Sequence, residues 1–134
     1  MKKAVLSPRA PKPIGPYSQA IDCGELVFVS GQIPADAAGN LSGPAVADQT
    51  ERCLDNLSAV LKAAGLSLGD VAKTTVFMTD LACFAEMNEA YAQRFKSPYP
   101  ARAAVQVSAL PKGAAVEIEA VALRSRRRTS RRAP

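Results

Sequence analysis

The sequence predicts one α+β domain, a mixed sheet of about six strands with two helices packed on one face. Three observations carry this. Apolar residues recur at helical spacing in only two segments, Val46 to Ala64 and Leu81 to Phe95. Short β-branched or alternating runs, separated by turn residues, fill most of the rest. At 134 residues the chain has material for a single core and no more.

Ala4 to Leu6 form a short apolar stretch, after which Pro8, Pro11, Pro13 and Pro16 impose an extended, loop-like path into Tyr17. Residues 17–21 and 26–30 read as two strands joined by the turn Asp22-Cys23-Gly24-Glu25, with Gly31 and Pro34 ending the second. Residues 35–43 are polar and turn-rich. Val46, Thr50, Cys53, Leu54, Leu57, Val60, Leu61 and Ala64 then mark an amphipathic helix stopped at Gly65. Residues 71–79 are β-branched and read as a strand, after which Asp80 can cap a second helix. The expected buried stripe of that helix is Leu81, Phe84, Met87, Tyr91 and Phe95. Pro98 and Pro100 close it, residues 101–108 resume strand character, Leu110-Pro111-Lys112-Gly113 turns, and residues 115–123 form the last strand.

Two helices cover only one sheet face, so the other must be polar or hidden by another copy. In the last strand Val116, Ile118, Ala120 and Ala122 fall on one side, and Glu117, Glu119, Val121 and Leu123 on the other. The first set is core. The second mixes carboxylates with apolar groups, which suits a solvated face or one lining an interface or pocket.

The formal net charge is +5, but Arg124, Arg126, Arg127, Arg128, Arg131 and Arg132 crowd the C-terminus. Without those six the body holds eleven Lys and Arg against twelve Asp and Glu, a net charge of −1. The domain, residues 1–123, is therefore not a basic surface for gripping nucleic acid. Residues 124–134 read as a disordered, solubilising tail, with an RNA-binding arm as the competing reading. The chain has no histidine, which removes Ser-His-Asp triads, Cys-His dyads and histidine-ligated zinc. Cys23, Cys53 and Cys83 form no CxxC pair and read as free thiols of a reducing compartment. Neither a secretory signal nor a membrane-spanning run is legible, so the expected location is the cytoplasm, without membrane association.

Arg102 stands among Ala101, Ala103 and Ala104, where small neighbours leave room for a ligand beside a guanidinium fork that fits a carboxylate. An ion pair with Glu117 or Glu119 is the structural alternative. Without histidine, general acid–base work falls to carboxylate, Tyr, Lys or Cys, and periodicity alone does not choose between Glu117 and Glu119. Ser30 and Gly31 could offer a hydroxyl and backbone N–H groups to an anion, or only permit a turn. Asn88 and Tyr17 could each pack while turning a polar end to a pocket.

Several segments taken in order resemble motifs of the reactive intermediate deaminase family, the Rid or RidA-like (YjgF) proteins. They are Ile14-Gly15-Pro16-Tyr17-Ser18-Gln19-Ala20, Val29-Ser30-Gly31-Gln32-Ile33-Pro34, Asn56-Leu57 with Ala63-Ala64-Gly65-Leu66, and Lys73-Thr74-Thr75-Val76-Phe77. Phe84-Ala85-Glu86-Met87-Asn88-Glu89-Ala90-Tyr91, Pro100-Ala101-Arg102, and Leu110-Pro111-Lys112-Gly113 with Glu117-Ile118-Glu119-Ala120 complete the set. The resemblance implies a chorismate-mutase-like α+β fold and a homotrimer whose active sites lie in clefts between subunits. It implies hydrolysis of reactive 2-imino acids, 2-iminobutanoate and 2-iminopropanoate, to 2-keto acids and ammonia, clearing intermediates released by pyridoxal-phosphate enzymes and itself needing no metal or cofactor. By the same resemblance Arg102 holds the substrate carboxylate, Glu117 the attacking water, and Tyr17, Ser30, Gly31 and Asn88 line the pocket. Some relatives carry cysteine at the position of Ala104, so thiol chemistry there is closed to this chain. The competing functional readings are an endoribonuclease-type translation inhibitor and a non-catalytic module that binds small carboxylates.

Overall fold

The computed structural model describes residues 1–125, and the arginines from Arg126 onward lie outside the described residues. The strands are β1 (Lys3–Val5), β2 (Ala20–Asp22), β3 (Leu26–Gln32), β4 (Val71–Met78), β5 (Ala101–Gln106) and β6 (Val116–Leu123). Helix α1 (Val46–Ala63) lies between β3 and β4, and α2 (Phe84–Ala92) between β4 and β5. The six strands form one sheet in the order β1-β2-β3-β6-β4-β5. All neighbours are antiparallel except β4 and β5, which run parallel because α2 carries the chain back between them. The α+β class and the six-stranded mixed sheet follow as expected from the sequence.

Helix α1 forms where the periodicity places it. Cys53, Leu54, Leu57, Val60 and Leu61 are fully buried and meet Val116, Ile118, Ala120 and Ala122 of β6 across the core. Each such side chain contributes roughly 1.5–3 kcal/mol relative to exposure, apart from the smaller cysteine and alanines. No side chain of Ala45 caps the helix. Glu86 of α2 does so from outside, its Oε2 accepting from Ala47 N at 3.0 Å. At the other end Gly65 takes φ +81°, and Leu66 N donates to Leu61 O at 2.8 Å, closing the helix as predicted.

Two buried amides on α1 tie it to the loops that later frame a cavity. Asn56 Nδ2 donates to Ile33 O (3.0 Å) and Ala35 O (2.8 Å). Gln49 accepts from Ala115 N at 2.8 Å and donates to Gly43 O at 3.0 Å. These bonds replace water that the buried backbone has lost.

The structure corrects four boundaries. Strand β2 starts at Ala20, not at Tyr17, because Gln19 turns inward, 2% exposed, and knots the proline segment. Its side chain accepts from Ser7 N and donates to Ser7 O (3.1 Å) and Pro11 O (2.9 Å), in a stretch whose prolines supply no N–H. Strand β3 continues past Gly31 to Gln32 through a β-bulge between Val29 and Gln32. Helix α2 begins only at Phe84. Asp80 caps a 3-10 turn over Leu81–Cys83 instead, accepting from Ala82 N at 2.9 Å, so Leu81 and Phe84 lie more than one-third exposed. Finally, Arg124, grouped by composition with the tail, is held by the body. It donates to Asp22 Oδ2 (2.7 Å), Gly24 O (2.9 Å) and Ala64 O (3.2 Å).

The face of the sheet away from the helices carries Leu26, Phe28, Val105 and Leu123, each 39–49% exposed, beside Glu117 and Glu119. It is the mixed apolar and acidic face anticipated from β6. Among the described residues no helix is long and apolar enough to cross a membrane.

Candidate active site

The sequence-predicted site residues fall into two groups on opposite faces of the sheet. Arg102 is the second residue of β5, an edge strand, and pairs in register with Thr74 of β4. Laterally paired strand residues point to the same face, and Thr74 is fully buried under α2. Arg102 accordingly rises on the helix side. Its Nη1 donates to Asn88 Oδ1 at 2.8 Å, and its Cζ lies 4.8 Å from the ring centroid of Tyr91 and 5.4 Å from that of Phe84. It forms no ion pair with Glu117 or Glu119 among the described residues. The Nε and Nη2 edge carries no hydrogen bond within the described chain, which is the edge a carboxylate would take.

Glu117 pairs in register with Phe77 of β4 and lies on the opposite, helix-free face. With Tyr17, Ser30 and Gly31 it lines a cavity of about 710 Å³. Gly31 is indispensable to its placement, because a Cβ there would lie 2.9 Å from the Glu117 carboxyl carbon and closer still to Oε2. Burial raises the Glu117 pKa above its ordinary value of 4.5, and repulsion from Glu119 raises it further. A carboxyl shifted in this direction holds a proton more readily, which suits a group that takes one from water and gives it back.

A raised folded-state pKa also has a consequence for stability. Its contribution is fully present below the unfolded value and is lost as pH rises through the folded one. Glu117→Gln, which cannot ionise, is expected to raise the melting temperature more at pH 7 than at pH 4. Thermal denaturation at both pH values checks this, and equal shifts at the two would contradict it.

Ser30 departs from the role its position suggests. Its N–H donates to Gln19 O (2.9 Å) and its Oγ to Ser18 O (2.6 Å), so both donors bind the Tyr17 segment to β3 and neither is offered to an anion. Tyr17, 53% exposed, stands at the cavity wall that these bonds fix. Sequence reasoning missed Lys112, treated only as part of a turn. It adopts φ +59° and extends Nζ to Gly39 O (3.1 Å), drawing two cavity-lining loops together. It also took Tyr91 for core alone, although its three-residue spacing from Asn88 puts both on the helix face that meets Arg102.

Cys53 is buried, and desolvation foremost, then the Glu117 charge, raises its thiol pKa strongly. It is an inert core residue. Cys23 is exposed and Cys83 half-buried.

Residues 7–124 match the protein family described as Endoribonuclease L-PSP, Ribonuc_L-PSP. The chain belongs to this family. Its relatives carry the RutC, RidA and reactive intermediate deaminase names, in agreement with the resemblance seen in the motifs. A RutC family protein of Pyrococcus horikoshii is 51% identical over 91% of this chain and 98% of its own length. The human protein named 2-iminobutanoate/2-iminopropanoate deaminase is 46% identical, over 92% of this chain and 90% of its own. Among solved structures, Escherichia coli TdcF with bound serine superimposes with a TM-score of 0.87 at 48% identity, covering 92% of this chain and all of TdcF. Family membership thus groups the chain with deaminases of reactive intermediates. The geometry above describes what this chain brings to such chemistry.

Proposed function

We propose that this chain hydrolyses 2-imino acids, with 2-iminobutanoate and 2-iminopropanoate as substrates, to 2-keto acids and ammonia. The observation that carries the reading is the pairing of an arginine whose carboxylate-binding edge is unoccupied with a half-buried carboxyl of raised pKa. Because these two lie on opposite sheet faces of one chain, the working site is a cleft between copies, which the resemblance to the family makes a homotrimer. The exposed apolar face supports that assembly. So does the name of the human relative for the substrate, and the serine held by TdcF for a small carboxylate ligand.

In the proposed reaction Arg102 holds the substrate carboxylate, and Glu117 of another copy orients a water beside the C=N carbon. The imine reacts in its protonated, iminium form. The water oxygen attacks that carbon while Glu117 accepts its proton, and the C=N electron pair becomes the lone pair of an NH2 group. Glu117 then returns its proton to that nitrogen. Loss of the hydroxyl proton to Glu117 then forms the C=O bond and expels ammonia. Such imines hydrolyse unaided, so positioning and proton transfer worth a few kcal/mol each suffice.

The test generates the imine in situ with threonine dehydratase or an amino-acid oxidase and follows keto-acid formation. The purified chain should accelerate it, and the absence of acceleration overturns the reading. An RNA-cleaving reading, suggested by the family description, would have to work without histidine and on a body of net charge −1. The arginines beyond Ser125 could supply only salt-sensitive RNA affinity.

A further inference from the structure

Arg102 sits on an exposed edge strand, where a long side chain ordinarily keeps much of its rotamer freedom. Here it does not stand alone. Tyr91, 4% exposed, lies under the guanidinium at 4.8 Å and Phe84 lies at 5.4 Å, both within the range of cation–π attraction. The Tyr91 hydroxyl shares a 2.7 Å hydrogen bond with Thr74 Oγ1, and the Tyr91 ring leans on Phe95 at a centroid distance of 4.6 Å. Thr74 is also the register partner of Arg102 on β4. The backbone of Arg102 and the ring beneath its head group are therefore referenced to the same rung of the sheet. Asn88 takes Nη1 from the side.

Burial raises the Tyr91 phenol pKa, with the Thr74 hydrogen bond and the Arg102 charge opposing it, so Tyr91 stays a neutral ring at physiological pH. From this geometry we infer that Tyr91, anchored by Thr74 and assisted by Phe84, is a positioning residue. It fixes the plane of Arg102 and turns the Nε and Nη2 edge outward to the ligand. The inference rests on the reading of Arg102 as the carboxylate clamp. It also explains why an ammonium would not replace the guanidinium, since only a flat cation can use the seat and the fork together.

The test is steady-state kinetics in the imine assay, with the affinity for the product 2-oxobutanoate measured by calorimetry and folding checked by circular dichroism. Tyr91→Leu and Phe84→Leu should each raise KM and the product Kd, Tyr91→Leu by about ten-fold, with kcat changed less than about three-fold. Tyr91→Phe keeps the ring and should return KM to within about three-fold of the parent. Phe84 is one-third exposed, so its replacement carries the test if Tyr91→Leu fails to fold. Folded variants with parental KM, or Tyr91→Phe as impaired as Tyr91→Leu, would refute the seat. An unaltered KM and kcat in Arg102→Ala would instead refute the clamp reading itself, whatever Tyr91 does.

Discussion

Arg102→Ala is expected to lower kcat/KM for imine hydrolysis by a factor on the order of 10² to 10³ while leaving the fold intact. The size follows from the two charge-assisted hydrogen bonds that its Nε and Nη2 edge can give a carboxylate, together about 3–4 kcal/mol in a site shielded from water. The fold is spared because Arg102 is exposed on an edge strand, where its described contacts are Asn88, Tyr91 and Phe84. A surface truncation of this kind changes stability by about 0.5 kcal/mol. Arg102→Lys keeps the charge but loses the fork and the flat stacking surface, and should recover only a minor part of the rate. Kinetics and thermal melts of the two variants check this, and an Arg102→Ala protein with parental kcat/KM would remove the residue from the mechanism.

Gly31→Ala should be nearly as damaging from a position that bears no functional group. The backbone at Gly31 is outside the positive-φ region, so alanine is conformationally permitted there. The added methyl instead meets the Glu117 carboxyl carbon at 2.9 Å and Cγ at 3.2 Å. Glu117 must swing away, and with it the water that the proposed mechanism assigns to it. Misplacement by about 1 Å in such a site costs on the order of 10²-fold in rate. The expected result is a folded chain with kcat/KM down by about that factor, and a fully active Gly31→Ala would show that Glu117 need not stand where it does.

The parts of the fold that were legible in the sequence are those set by period. Leu54, Leu57 and Leu61 repeat at helical spacing and are buried together, and β6 alternates between core and open face residue by residue. What escaped was set by polar groups acting across the chain. Gln19 falls within a stretch that reads as a strand, yet it is buried outside it because the Ser7 and Pro11 carbonyls, twelve and eight residues earlier, need a donor. Leu81 continues the apolar stripe of α2 but precedes the helix, and Phe84 is only its first residue, because Asp80 captures the backbone in a tighter turn.

For the site, residue chemistry singled out Arg102 and the strand glutamates, and the motifs narrowed the latter to Glu117. Their separation onto two faces could not be read from residue type. It depends on which residue of β5 stands beside which residue of β4, and of β4 beside β6, and a shift of one residue in either pairing inverts the answer. Lys112 and Tyr91 escaped for a similar reason, since each gains its place from a partner distant in the chain.

That separation gives the account its most direct test. If Arg102 of one copy and Glu117 of another complete each site, two inactive variants must rescue one another. Arg102→Ala and Glu117→Gln chains, co-refolded in equal amounts, should regain about one quarter of the parental keto-acid rate, the share of sites that random assortment makes whole. A co-assembled mixture that stays inactive would contradict the shared site, as would a fully active monomer.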